Sequence, residues 1–227
     1  MSLEDLKKQA AEKAVEQVRN GMILGLGTGS TARYAIIKIG ELWQSGIFTD
    51  IATIPTGEAT AALARQFDLP LTTLTEHPVI DLTIDGADEI APNLDLIKGQ
   101  GGALLREKII ELASRQFIVI ADESKLVDKL GVRSPLPVEV IRFEAQYQAD
   151  WLKTLGCQPV LRRDKLEPYL TDNHNYILDC TFPDGIDDPV GLAALLSDRV
   201  GVVAHGLFLG MANEAIVATA EGLRQMY

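Results

Sequence analysis

Apolar positions along the chain alternate between helical stripes and short unbroken runs. Leu3, Leu6, Ala10, Ala14, Val15 and Val18 fall near one stripe, which predicts an amphipathic helix over 2–19. Ser2-x-x-Asp5 reads as its capping box, and Asn20-Gly21 supplies the left-handed conformations that end it. The run at 22–26 predicts a strand entering "GLGTGST", followed by a helix over 31–44. The alternation continues with strands at 51–54, 71–74, 80–84 and 117–121 and helices at 58–67 and 102–114. Apolar strands separated by helices of this length predict a mostly parallel sheet covered on both faces, with ligands beyond the carboxyl ends of its strands.

"GVRSPLP", residues 131–137, interrupts this rhythm with two prolines and a glycine and reads as a domain boundary. Beyond it the pattern predicts strand 137–143, helix 145–155, strands 158–163 and 176–182, helix 188–199 and strand 201–207. That β-α-β-β-α-β order is the ferredoxin-like split motif. The tail, 214–227, fits either one helix or a strand with a short helix. The fold class is therefore α/β: a Rossmann-like, mostly parallel sheet with a smaller ferredoxin-like α+β domain. The larger domain is expected over 1–130 plus 208–227, and the smaller one over 131–207.

Composition narrows the function classes. With 47% apolar residues the 227-residue chain has material for a full core. A net charge of −11 opposes binding to nucleic acid, whose phosphates are held by clustered Lys and Arg. No run of eighteen apolar residues suggests a membrane span and no segment reads as a signal peptide, so a cytoplasmic protein is expected. Cys157 and Cys180 lack zinc-site spacing and a neighbouring histidine and read as buried, reduced thiols. His77, His174 and His205 are scattered, so no metal is expected.

Three turns carry candidate chemistry. In Gly25-Leu26-Gly27-Thr28-Gly29-Ser30-Thr31, glycines allow close backbone approach to an anion at a helix start, and Thr28, Ser30 and Thr31 add hydroxyl donors. The third glycine comes one residue early for a dinucleotide fingerprint, and the lysine of a P-loop is missing. A phosphate monoester suits such a loop, although a strand-to-helix turn with a Ser or Thr cap has the same look. In "IDGADE", Asp85 and Asp88 follow a strand end, with Gly86 and Ala87 between them. Paired carboxylates can exchange protons with sugar hydroxyls or hold Mg²⁺, but they also serve as turn and helix caps. The third is Lys98-Gly99-Gln100-Gly101-Gly102 leading to Glu107, which spacing alone leaves open as a surface acid. All three turns are read as following strands of the first domain. Lys125, in "ADESK", is a further candidate cation, although a lone lysine is commonly a solvated surface group.

Taken in order and spacing, "GLGTGSTA", "IDGADE", "KGQGGALLREK" and "ADESK" resemble the type A family of ribose-5-phosphate isomerases over essentially the whole chain. The resemblance implies interconversion of D-ribose 5-phosphate and D-ribulose 5-phosphate in the pentose phosphate pathway, without metal or organic cofactor, by a homodimer or homotetramer. It implies substrate binding by Thr28, Gly29, Ser30, Thr31, Asp85, Gly86, Ala87, Asp88, Lys98, Gly99, Gln100, Gly101 and Lys125. Catalysis would fall to Glu107 as general base, with Asp85, Asp88 and Lys98. The family's small domain is inserted before a last strand and helix, which favours a strand at 215–218. Relatives carry an unbroken glycine run after the motif lysine, whereas Gln100 interrupts it here; its side chain is expected to point outward. Two other classes fit a related fold: the sugar-phosphate-sensing module of transcription regulators, which would add an N-terminal DNA-binding domain, and coenzyme A transferases, which use a glutamate nucleophile.

Overall fold

The computed structural model describes residues 2–227. In chain order its elements are α1 (Leu3–Val15), β1 (Met22–Leu26), α2 (Ala32–Gln44), β2 (Ile51–Pro55), α3 (Glu58–Gln66) and β3 (Leu82–Gly86). There follow β4 (Glu89–Ile90), β5 (Leu96–Ile97), α4 (Leu104–Leu112), β6 (Phe117–Asp122), β7 (Leu136–Val140), α5 (Ala145–Lys153) and β8 (Gln158–Leu161). The remainder is β9 (Arg163–Asp164), β10 (Glu167–Pro168), β11 (Tyr176–Thr181), α6 (Pro189–Asp198), β12 (Val202–His205), β13 (Leu207–Phe208), β14 (Glu214–Thr219) and β15 (Gly222–Met226). These elements form two compact units. The first takes the chain up to Ala87 with Arg106–Lys125 and Met211–Tyr227; the second takes Asp88–Leu105 and Leu126–Gly210.

The first unit is built on a six-stranded sheet ordered β15-β14-β6-β3-β1-β2, parallel except for β15. Its inner strands are apolar almost throughout, as β6 shows with every residue buried, because helices cover both faces. On one face α1, α2 and α3 bury Leu6, Ala10, Ala14, Ile36, Ile39 and Leu63 against Leu24, Leu82, Ile118 and Ile216. On the other, Ile110 of α4 packs with Ile54 and Ile80. The Ser2–Asp5 capping box forms as its spacing predicts, the Asp5 amide donating to Ser2 Oγ and the Ser2 amide to Asp5 Oδ2. The helix stops at Val15 rather than Arg19, where the amides of Gln17 and Val18 reach back three residues instead of four.

The second unit contains a four-stranded antiparallel sheet ordered β12-β7-β11-β8, the ferredoxin-like arrangement, with Leu136, Val138, Leu152, Leu178 and Leu196 in its core. Cys157 and Cys180 lie in the same core and carry no disulfide. A separate three-stranded sheet, β13-β5-β4, holds the strand that leads to Lys98. That corrects the expectation that all three chemical turns follow strands of the first domain. The cause is hydrogen bonding: Leu96 and Ile97 pair with Leu207 and Phe208 on one side and with Glu89 and Ile90 on the other.

Four other elements differ from expectation, the first being the strand expected at 158–163, which ends at Leu161, with Arg163 in a separate two-stranded sheet, β10-β9. The single strand expected at 201–207 breaks at Gly206, whose amide donates to Pro137 O while its carbonyl accepts from the Lys98 amide. A Cβ there would lie 2.3 Å from Lys98 O, so only glycine makes this corner. The strand expected at 71–74 reduces to one bridge, Leu71 to Thr53, because a turn begins at Leu74. Finally, the tail is a β-hairpin with no helix, turning at Ala220-Glu221 and re-entering the sheet at Gly222, whose φ is +133°.

Candidate active site

The chain order of the parallel sheet reverses at β1, with β2 on one side and β3 on the other, so the crevice beyond the carboxyl ends of β1 and β3 is the topological switch point. Both turns leaving these strands are acid- or glycine-rich. Gly27 N–H donates to Ile84 O at 3.1 Å and Thr28 N–H to Asp85 Oδ1 at 3.0 Å. The same carboxylate oxygen accepts from Gly86 N at 2.6 Å. Asp85 is fully buried, and a Cβ on Gly27 would come within 2.1 Å of Asp85 Oδ1. Glycine at 27 is what lets the loop lie against this acid.

The Thr28 hydroxyl turns towards the start of α3. It lies 2.8 Å from Thr56 Oγ1 and 2.9 Å from Thr60 Oγ1, which themselves reach the carbonyls of Leu26 and Gly27 at 2.9 Å each. Three hydroxyl hydrogens serve four contacts, so at any instant one contact lacks a hydrogen. Thr56 and Thr60 are supports that sequence reading missed. Their only sequence signal is a pair of hydroxyls four residues apart around a helix start.

Gly29 has φ of +121°, and the Gly29 carbonyl begins the first helical turn by accepting from Arg33 N at 3.0 Å. Ser30 is exposed, while Thr31 occupies the N-cap of α2 without a side-chain cap bond. The first-turn amides of α2 thus point partial positive charge outwards beside two hydroxyls. Arg33, also overlooked in the sequence, lines a small recess of about 130 Å³ with Thr28, Gly29 and Thr60.

Elsewhere in this unit Glu107 lies in the first turn of α4 and is 3% exposed, which removes the surface-acid alternative. Its neighbour Arg106 turns to Glu58 at 2.8 Å. Burial pulls the Lys108 ammonium down to a pKa of about 8, with the Glu111 carboxylate pulling the other way. Lys125 ends the single 3₁₀ turn that follows β6, where Asp122 Oδ1 accepts from Ser124 N at 3.0 Å.

In the second unit, Asp88 Oδ2 accepts from Gln100 N at 2.9 Å, and the Asp88 amide donates to Ile97 O. The next residue, Glu89, is fully buried and folds "GVRS" around itself: Gly131 N donates to Oε2 at 2.6 Å, and Arg133 N and Ser134 N donate to Oε1 at 2.7 and 2.6 Å. The third carboxylate of "DGADE" is therefore a structural anchor. Lys98 is 2% exposed, with its ammonium 5.5 Å from the Phe208 ring centroid. Gly99 and Gly102 take φ of +106° and +82°, and Gly101 is exposed between Gln100 and Gly102. The Gln100 carboxamide donates to Pro135 O at 2.9 Å.

A family model described as Ribose 5-phosphate isomerase A (phosphoriboisomerase A) matches residues 52–222. The chain belongs to the ribose 5-phosphate isomerase A family. It is 50% identical to ribose-5-phosphate isomerase A of Desulfatibacillum aliphaticivorans, covering 99% of this chain and 98% of that protein. It is also 50% identical to a probable chloroplastic ribose-5-phosphate isomerase 3 of Arabidopsis thaliana, covering 100% of this chain and 84% of the relative. Among solved structures, ribose 5-phosphate isomerase from Plasmodium falciparum superposes with a TM-score of 0.96 at 41% identity, covering 98% of both chains. A D-ribose-5-phosphate isomerase in complex with phospho-erythronic acid gives 0.96 at 40% identity, covering 100% and 99%. Membership in the isomerase family disfavours the sensor and coenzyme A transferase readings.

Proposed function

We propose that this protein interconverts D-ribose 5-phosphate and D-ribulose 5-phosphate in the non-oxidative pentose phosphate pathway. The observation that carries this reading is the family match, with relatives 50% identical over nearly the full chain. The reaction moves hydrogen between C1 and C2 of one molecule, so it is redox-neutral. One carboxylate serves both directions by taking a proton from one carbon and returning it to the next through a cis-enediolate.

Glu107 is assigned that role, supported by its burial in the first turn of α4. Lys98 and the amides of the glycine turn are assigned to the enediolate oxygens, where fixed donors lower the barrier. Asp85 and Asp88 are assigned to hydroxyl protons, including those moved in opening the furanose ring. Thr28, Gly29, Ser30, Thr31 and Lys125 are assigned to the phosphorylated pentose, because a helix start with hydroxyls and a cation suits a phosphate monoester.

No helix of the described residues is long and apolar enough to cross a membrane. We place the protein in the cytoplasm as a homodimer or homotetramer; light scattering and fractionation test these two assignments. The activity is tested by mixing purified protein with ribose 5-phosphate and EDTA and following ribulose 5-phosphate. Conversion at catalytic rates is expected. Substrate binding without conversion would return the sensor reading.

A further inference from the structure

A single peptide group in the Lys98 turn is gripped at both ends. The carbonyl of Gly99 accepts from Arg162 Nη1 at 2.9 Å, and the N–H of the same peptide, on Gln100, donates to Asp88 Oδ2 at 2.9 Å. Arg162 Nη1 also reaches the next carbonyl, Gln100 O, at 3.1 Å. The peptide dipole is thus set with its negative end on a cation and its positive end on a carboxylate. Flipping this peptide would face like partial charges to both partners.

Arg162 is itself immobilised. Its Nε and Nη2 fork onto Asp179, at 2.9 Å to Oδ2 and 2.5 Å to Oδ1, and the two side chains are only 12% and 20% exposed. A planar guanidinium held through two nitrogens along one edge has little freedom left in where Nη1 points. The backbone is pinned as well: Arg162 N donates to Ile177 O at 2.9 Å, and Arg162 O accepts from Tyr169 N at 2.9 Å. Tyr169 lies under the guanidinium, 5.8 Å from its centre, and its hydroxyl fills the space beside Gly102, where a Cβ would come within 2.1 Å. A cation, a carboxylate and an aromatic ring, all more than fifty residues along the chain, thus shape this turn.

We propose that Arg162, oriented by Asp179, is a positioning residue: it fixes the Gly99–Gln100 peptide, and through it the Asp88 carboxylate and the directions in which the Lys98 turn offers its donors. The catalytic half of this proposal rests on the isomerase reading above; the clamp itself rests on the hydrogen bonds alone. A lysine at 162 keeps the charge but cannot fork onto Asp179 while serving two carbonyls. An asparagine at 179 removes the fork's charge and leaves the arginine in place.

The test compares Arg162→Lys, Arg162→Ala and Asp179→Asn with the parent protein, reading kcat and KM for ribose 5-phosphate, thermal midpoint, and hydrogen exchange of the Gln100 amide. The expected result is a fall in kcat of about tenfold or more in all three, with KM changed less than about threefold, since misplaced donors are felt chiefly in the transition state. Gln100 exchange should quicken at least about tenfold, and added guanidinium ion should restore part of the lost kcat in Arg162→Ala. Unchanged kcat in a folded variant would overturn the positioning role, as would losses that follow the thermal midpoint and resist guanidinium. Unchanged Gln100 exchange would overturn the clamp. An inactive parent protein would instead overturn the isomerase reading and the catalytic half with it, leaving Gln100 exchange to decide the clamp.

Discussion

Asp85 Oδ1 accepts a hydrogen bond from the Thr28 amide at 3.0 Å, fastening the loop after β1 to the end of β3. The two residues are 57 positions apart, and the fold brings them together because β1 and β3 are parallel neighbours, Leu26 beside Ile84. This contact places an acid and a glycine-rich loop at the sheet's switch point. Asp85→Asn keeps an oxygen for the Thr28 amide while losing the proton acceptor. We expect kcat to fall by about 10²-fold or more with a thermal midpoint within a few degrees of the parent. Steady-state kinetics and a melting curve check it; full activity would remove Asp85 from the chemistry.

The close approach at Gly27 makes a separate prediction about stability. A methyl on residue 27 would meet the Asp85 side chain at 2.1 Å and Asp85 Cα at 2.6 Å, so the loop must shift. Gly27→Ala should cost about 1–3 kcal/mol of folding free energy, as overpacking does. Urea unfolding would measure it, and an unchanged midpoint would show that the loop yields freely.

Glu107→Gln should retain substrate binding and lose most turnover, by about 10²–10⁴-fold, since the proposed role is proton transfer. Near-normal turnover in a folded variant would count against the assignment. By the same logic Lys125→Ala should raise KM while sparing kcat, and an unchanged KM would remove Lys125 from the site. Gln100→Gly should leave affinity little altered, because the Gln100 side chain is engaged with Pro135 O and the turn is held through its backbone. A large change in affinity would mean that this side chain meets the substrate.

Lys108 gives a pH prediction. Unfolded, it keeps its proton to about pH 10.4; folded, burial lowers that to about 8. Between these values the unfolded chain binds more protons, so this residue's contribution to stability rises with pH from about 8 to about 10.4. Lys108→Met should therefore be more stable than the parent at pH 7, with the gap narrowing at pH 9.5. Urea titrations at both pH values decide the sign.

The sequence made some parts of this architecture legible and hid others. Period and glycine placement announce β1, α2 and the parallel series, because local pattern and tertiary role agree there. Asp85, Lys98 and Glu107 are visible as residues beside glycine turns. What sequence could not show is what lies across space. Nothing near Arg162 signals that it holds Gly99 and Gln100, 63 and 62 residues away, and nothing in "DGADE" separates Glu89, the anchor for the Gly131 loop, from the two aspartates. The break at Gly206 was hidden for the same reason: its cause is Lys98, on another strand's end. The tail was ambiguous because six apolar-rich residues followed by Glu-Gly fit one helix or a strand with a short helix; pairing of β14 with β6 decides for strand, and pairing of β15 with β14 replaces the expected helix.

The central claim is proton transfer by one carboxylate between adjacent carbons, and the most direct measurement is the reaction in D₂O followed by NMR. Ribulose 5-phosphate should form and, over repeated interconversion, gain deuterium at one position on C1, with Glu107→Gln slowing conversion and uptake alike by about 10²–10⁴-fold. Interconversion continuing to equilibrium with no deuterium entering C1 would mean that the hydrogen never reaches an exchangeable base, and would contradict the account.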